Sequence, residues 1–132
     1  MKGVNAYRRT SVSTADPMDI VIALYDGLIR HLTAAQIAFS EGRRAEAGER
    51  IGKALAIVNE LDASLDTKTG GEFSVQLSSL YAWFTQELLQ TSVTKEPYRL
   101  APVLQLVSEL REAWHTAATN LRASGATIAK AG

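Results

Sequence analysis

The sequence predicts an all-α fold, an antiparallel up-down-up-down four-helix bundle. Three observations carry this expectation. Apolar residues recur at steps of three and four along four separate stretches, the breaks between the stretches are a few residues long, and no stretch alternates apolar and polar side chains as a half-buried strand would. Short links between long helices force antiparallel neighbours.

The first helix opens at Asp16-Pro17-Met18-Asp19: an Asp at the N-cap, a Pro at the first helical position, and an acid where the helix dipole favours it. Val21, Leu24, Leu28, Leu32, Ala35 and Phe39 form its stripe, and Gly42 follows a natural stop. The second helix begins near Arg43 and carries Ile51, Leu55, Val58, Leu61 and Leu65, with Ala54 and Ile57 beside them. Gly48 and Gly52 weaken its first half by up to about 1 kcal/mol each relative to Ala. It ends at Thr67-Lys68-Thr69-Gly70-Gly71, where paired glycines supply the left-handed conformations of a cap and reversal.

The third helix runs from Glu72 to about Val93 on Phe73, Leu77, Leu80, Tyr81, Phe84 and Leu88. The fourth opens near Pro97 and holds the most regular register: Leu100, Val103, Val107, Leu110, Trp114, Ala117 and Leu121. Pro102 falls in its first turn, where a missing amide donor is tolerated. Beyond Arg122 the chain lacks apolar weight and a cap, so a frayed tail is expected. The organisation read from this pattern is a mobile N-terminal segment over 1–15, a bundle domain over 16–122 and a flexible tail over 123–132.

Composition narrows the function. The 132 residues are 46% apolar and 21% charged, ordinary for a globular domain. Fourteen basic residues balance fourteen acidic ones, which removes the global electrostatic case for nucleic acid. The absence of cysteine excludes disulfides, thiolate metal sites and cysteine nucleophiles. No uninterrupted apolar run has the length of a membrane span and no signal-peptide pattern opens the chain, so a cytosolic address without membrane insertion is the default.

The chemistry that can be looked for is thin. Glu112 and His115 form a Glu-x-x-His, a di-metal bundle spacing that requires a second copy plus further carboxylates, but the only other histidine, His31, has no Glu three residues before it. A phosphotransfer bundle needs one reactive histidine on a helix, but the Arg30-His31-Leu32-Thr33 stretch lacks the basic and small-residue surroundings of such histidines. No nucleophile, base and acid arrive together, and no phosphate-binding glycine loop follows a strand. The expectation is a protein that is not an enzyme, with no catalytic residue, no metal and no cofactor.

Several helices carry an apolar arc wider than a bundle seam. Ile22, Tyr25 and Ile29 widen the first helix, Ile57 and Leu61 the second, and Val103, Leu106 and Leu110 the fourth, while Trp83 lies off the main stripe of the third. Such breadth serves either intramolecular packing or a groove for another amphipathic helix, and periodicity does not separate the two.

Four pieces of sequence, in order, resemble the flagellar secretion chaperones specific for flagellin. They are Asn5-Ala6-Tyr7; Leu24-Tyr25-Asp26-Gly27-Leu28-Ile29; Leu65-Asp66 leading through Gly70-Gly71-Glu72 to Leu77 and Leu80-Tyr81; and Leu110-Arg111-Glu112-Ala113-Trp114. Leu28 stands where the family usually has Ala, His31 where an aromatic is common, and Phe73 where Ile is common. The resemblance implies a bundle that binds the disordered C-terminal segment of flagellin one to one, prevents its premature polymerisation and degradation, and delivers it to the membrane export gate of the flagellar type III system. It also implies that the segment before Pro17 covers the groove when the client is absent.

The candidate client contacts are Tyr7, Ile22, Tyr25, Asp26, Ile29, Leu61, Trp83, Leu106 and Leu110. Asp26-Gly27 is expected to admit a close backbone, that of a neighbouring helix or of the client. The alternative reading is an adaptor bundle that self-associates through its wide stripes.

Overall fold

A computed structural model describes residues 17–66 and 70–131, with side chains through Ser124. The expected N-terminal segment, with Asp16 and the candidate contact Tyr7, lies outside the described residues, as does the stretch 67–69. Four helices form: α1 Pro17–Ser40, α2 Arg44–Ala63, α3 Gly71–Thr94 and α4 Leu100–Ala131, the last entered through a 3-10 turn at Pro97–Arg99. Consecutive helices are neighbours, and α4 returns to pack along α1, so the four close into an up-down-up-down ring. The contact between α3 and α4 is the thinnest of the four seams.

The helix ends follow from local chemistry. At the end of α1, Gly42 takes a φ of +74°, its N–H donates to the Phe39 carbonyl at 3.1 Å, and the Arg43 N–H donates to Ala38 at 2.8 Å. This is the paired-bond glycine stop that satisfies orphan carbonyls. Between α2 and α3 the two glycines do different things. Gly71 has a φ of +66°, whereas Gly70 sits at −75° with no room for a side chain, because a Cβ there would lie 2.5 Å from the Asp66 carbonyl oxygen. Lys95 closes α3 in the left-handed region at φ 59°, its N–H donating to Thr91 at 2.8 Å.

Fifteen buried residues form one core: Tyr25, Leu28, Leu32 and Ala35 from α1, Ile51, Ala54, Val58 and Leu61 from α2, Leu77, Tyr81, Phe84 and Leu88 from α3, and Leu100, Val103 and Val107 from α4. In α1 the buried stripe runs Ile22, Tyr25, Leu28, Leu32, Ala35, Ala38, so Val21, Leu24 and Phe39 are flanking rather than central. In α3 the small Ser74 is buried in place of Phe73, which is 61% exposed. The regular pattern of α4 outlasts its burial: Ala117 is exposed and Leu121 is 54% exposed, although Ala118 is covered.

Helix α4 continues through Ala131. Alanines at 123, 126, 129 and 131 supply helix propensity that needs no packing partner. At 32 residues α4 is longer than the 24-residue α1 by roughly 12 Å. The last described tie between them is the ion pair of Arg122 with Asp19 near the start of α1.

Across the core diagonal, the Tyr25 and Tyr81 hydroxyls meet at 2.6 Å, joining α1 to α3. Burial pushes both hydroxyls above their ordinary value of 10.0, while hydrogen bonds to Tyr81 and the Trp114 side chain oppose that rise at Tyr25. Both phenols therefore remain neutral, and each satisfies the other where no apolar side chain could. Tyr25→Phe should cost about 1 to 2 kcal/mol by orphaning the Tyr81 hydroxyl, and the Tyr25→Phe/Tyr81→Phe double variant should recover part of it. Urea unfolding of the four proteins measures this; strictly additive losses would contradict a coupled pair.

On the α1/α2 seam, Arg50 Nη1 donates to His31 Nδ1 at 3.1 Å, which requires a neutral imidazole. Burial first, then Arg50, Arg30 and Lys53, lower the His31 pKa from 6.5. Below 6.5 the unfolded chain binds this proton more readily than the folded one, so the contribution is present above 6.5 and lost as pH falls through the lowered folded value. Chemical denaturation at stepped pH should show the wild type losing stability below neutrality faster than His31→Gln; parallel curves would contradict it.

Candidate functional site

Helix α3 has apolar surface on two opposite faces. Between Glu72 and Lys95 the one charged residue is Glu87, and Arg99 Nη1 donates to its carboxylate at 2.9 Å. The face turned inward carries Leu77, Tyr81, Phe84 and Leu88. At about 100° per residue, Val75, Ala82, Trp83, Gln86, Leu89 and Val93 fall within an arc of roughly 120° on the opposite side. Val93 is 79% exposed, Val75 53%, Leu89 48% and Trp83 38%. Single exposed apolar residues are ordinary. A helix face with this many of them, interrupted by Ser79, Gln86 and Gln90 and charged at Glu72 in the first turn, is the pattern of a surface that another chain covers.

The stripe continues onto the α3/α4 seam. Ser78 Oγ donates to Asp62 of α2 at 2.8 Å, so that flank of α3 faces α2, and the opposite flank, with Phe73, Leu80 and Glu87, faces α4. Phe73 stacks edge-on against Trp114 of α4 with ring centroids 6.3 Å apart. On α4, Arg111 Nε donates to Asp26 of α1 at 2.9 Å, which fixes that flank toward α1. Leu106 and Leu110 project on the other flank, toward α3, and are half-buried against the core. Trp83 lies on the edge of its stripe nearest this seam and packs on Phe84 at a centroid distance of 5.7 Å.

The sequence-predicted residues therefore divide. Trp83, Leu106 and Leu110 come together along α3 and its seam with α4. Ile22 is buried and Ile29 half-buried on the side of α1 facing α4, where Asp26 is held by Arg111. Tyr25 and Leu61 lie in the core, at 0% and 1% exposure. The α1 stripe read from the sequence is centred one position away from the observed one.

Gly27 is corrected in kind. What approaches it is a side chain of α2, since a Cβ at Gly27 would sit 3.3 Å from Ile57 Cδ1. Sequence reasoning missed Phe73, Val75, Leu89 and Val93 as surface. The signal that could have found them is the run Phe73 to Gln86, which contains no charge.

Elsewhere the described residues hold less. Glu112 is taken by Arg111 at 3.0 Å and His115 is exposed on its own. No group of three or more His, Asp or Glu residues is gathered among the described residues. An open recess of about 410 Å³ lies between the end of α1 and the 3-10 turn, lined by Gln36, Phe39, Ser40, Pro97 and Tyr98. Helix α1 is long and apolar enough to cross a membrane by length and composition, but its stripe supplies the bundle core and Asp19 and Asp26 pair with arginines of α4.

Comparison with known proteins gives one family. The family described as flagellar protein FliS matches residues 1–121. The flagellar secretion chaperone FliS of Vibrio cholerae is 33% identical over 119 residues, covering 86% of this chain and 88% of the relative. That of Salmonella typhimurium is 33% identical over 117 residues, covering 85% and 87%. A crystal structure of a bacterial flagellar chaperone superposes with a TM-score of 0.75 over 89% of this chain and 98% of that one, at 20% identity, which shows the shared fold. With the match spanning all of α1 to α3 and most of α4, the chain belongs to the FliS family of flagellar secretion chaperones.

Proposed function

We propose that this chain is a cytosolic export chaperone that holds the C-terminal segment of flagellin, one to one, along the outer face of α3 and the α3/α4 seam. It keeps the segment from premature polymerisation and degradation and hands it to the membrane export gate of the flagellar secretion system. The observation that carries the reading is the largely apolar outer face of α3, with Val75, Trp83, Leu89 and Val93 exposed on it. The names of the relatives, flagellar secretion chaperones, support an export client of some kind.

The physics is coupled folding and binding. A disordered amphipathic segment would order as helix over this face, set apolar side chains against Trp83, Phe73 and the half-buried Leu106 and Leu110, and lose conformational freedom as it does so. Such binding buries about 1,000 to 3,000 Å² and spends roughly 2 to 5 kcal/mol or more on ordering, which leaves an affinity that is high yet reversible. No bond is made or broken in this reading, and no side chain has a catalytic task.

The same α3 face would equally be covered in a self-associated adaptor, which is the competing reading. Mass in solution separates them, because a stable dimer that persists at low concentration and excludes the client would favour the adaptor. Calorimetric titration with the flagellin C-terminal segment should give one-to-one binding with a negative heat-capacity change. Trp83→Ala combined with Leu89→Ser should weaken it by about 2 to 4 kcal/mol while urea stability stays within about 1 kcal/mol of wild type. Ile37→Ser, an exposed residue of α1, should leave binding unchanged; equal losses in both variants would overturn the placement.

A further inference from the structure

The α1/α2 seam lies diagonally across the bundle from the face assigned to the client, and it collects positive charge. Arg30 folds back over Gly27, its Nη2 3.6 Å from where a Cβ would stand, beside Ile57 of α2. Arg50 reaches across from α2 to His31 at 3.1 Å, and Lys53 joins Arg30 and Arg50 in lowering the His31 pKa. Three cations thus surround one neutral imidazole on a surface of two helices.

Most of the other described arginines of the bundle, Arg44 excepted, have acidic partners. Arg43 pairs with Glu41 and Glu46, Arg99 with Glu87, Arg111 with Asp26 and Glu112, and Arg122 with Asp19. The acids placed one turn before Arg30 and Arg50, where they would neutralise them along the helix, are Asp26 and Glu46. Both are engaged by other arginines, Asp26 across the bundle by Arg111 and Glu46 by Arg43. Glu49, one turn before Lys53, forms no ion pair with it within 4.0 Å among the described residues. The neutral total charge of the chain therefore conceals a seam where three cations face few free carboxylates: Asp26 and Glu46 are engaged by other arginines, and Glu49 remains beside Lys53.

We propose that this seam is a docking site for an acidic segment of a second protein partner, one that binds while the client occupies α3. An acidic peptide fits better than a small anion. The cations stand mid-helix, where backbone N–H groups are already spent, and they are strung across two helices rather than converging on one point. Guanidinium groups carried on two adjacent helices match carboxylates spread along a partner segment. The site is additional to the client reading and independent of it.

The test uses the full-length protein and a short fluorescein-labelled oligoglutamate peptide, read by anisotropy at low salt. The Arg30→Gln/Arg50→Gln double variant should weaken binding by about tenfold or more, whereas removing the same charge elsewhere, in Arg44→Gln/Lys95→Gln, should change it less than about threefold. Equal losses in the two double variants would overturn the proposal, as a response to net charge alone. Displacement of the peptide by millimolar inorganic phosphate at constant ionic strength would also overturn it, in favour of a small-anion site. Circular dichroism melting of each variant identifies any loss caused by unfolding, and Arg30→Lys/Arg50→Lys, which keeps the charge, should restore part of the affinity. Competition between the peptide and the flagellin segment would contradict simultaneous occupancy.

Discussion

The hydroxyl contact between Tyr25 and Tyr81 is the constraint on which the arrangement of this bundle rests. Two tyrosines meeting tip to tip at 2.6 Å across the diagonal set the spacing of α1 and α3, because neither ring can retract without burying an unpaired hydroxyl. Trp114 packs with its ring centroid 6.5 Å from that of Tyr25, so α4 is drawn to the α1 side of the core. The ion pairs of Arg111 with Asp26 and Arg122 with Asp19 act in the same direction, though each is partly exposed and worth at most about 1 kcal/mol. Helix α4 is thereby committed to α1, and the seam it leaves with α3 is closed chiefly by half-buried leucines and the Phe73–Trp114 contact. An open α3/α4 seam is a consequence of how the core is held.

That geometry places an unusual demand on α3. Its inner face supplies Phe84, Leu88 and Tyr81 to the core, while its outer face meets water with valine, leucine and tryptophan. Covering a single Val or Leu side chain is worth about 1.5 to 3 kcal/mol, so leaving four such groups open is a standing cost in solubility that a partner removes. The opposite seam has a different character, with cations whose acids one turn before, Asp26 and Glu46, are engaged by other arginines. The two proposals place apolar recognition on α3 and electrostatic recognition on α1 and α2, and the neutral total charge reports neither.

Much of the fold was legible because the information is local. Caps and apolar period located the four helices, and the Gly42 stop and the Gly70-Gly71 turn lie where the sequence put them. What was not legible was rotation about each helix axis. In α1 a stripe centred on Leu24 and Phe39 fits the sequence as well as one through Tyr25 and Ala38, and the choice is made by Tyr81 on another helix. In the site, Trp83, Leu106 and Leu110 were identifiable because they break or widen a stripe. That Tyr25 and Leu61 are buried in the core was not legible, since a wide apolar arc does not say which edge is covered. Phe73 was assigned to the core by its size, whereas the tight start of α3 buries Ser74 instead. The basic seam could not be read from the chain at all, because Arg30 and Arg50 are twenty residues apart and the acids one turn before them are engaged by other arginines, Asp26 by Arg111 of α4 and Glu46 by Arg43.

The most direct test of the account is hydroxyl-radical footprinting of the protein alone and with the flagellin C-terminal segment bound, since it reads side-chain exposure residue by residue. The account predicts strong protection of Trp83, Phe73, Leu89 and Val93, with Ile37 unchanged. Protection confined to other helices, with the α3 face as reactive in the complex as in the free protein, would contradict it.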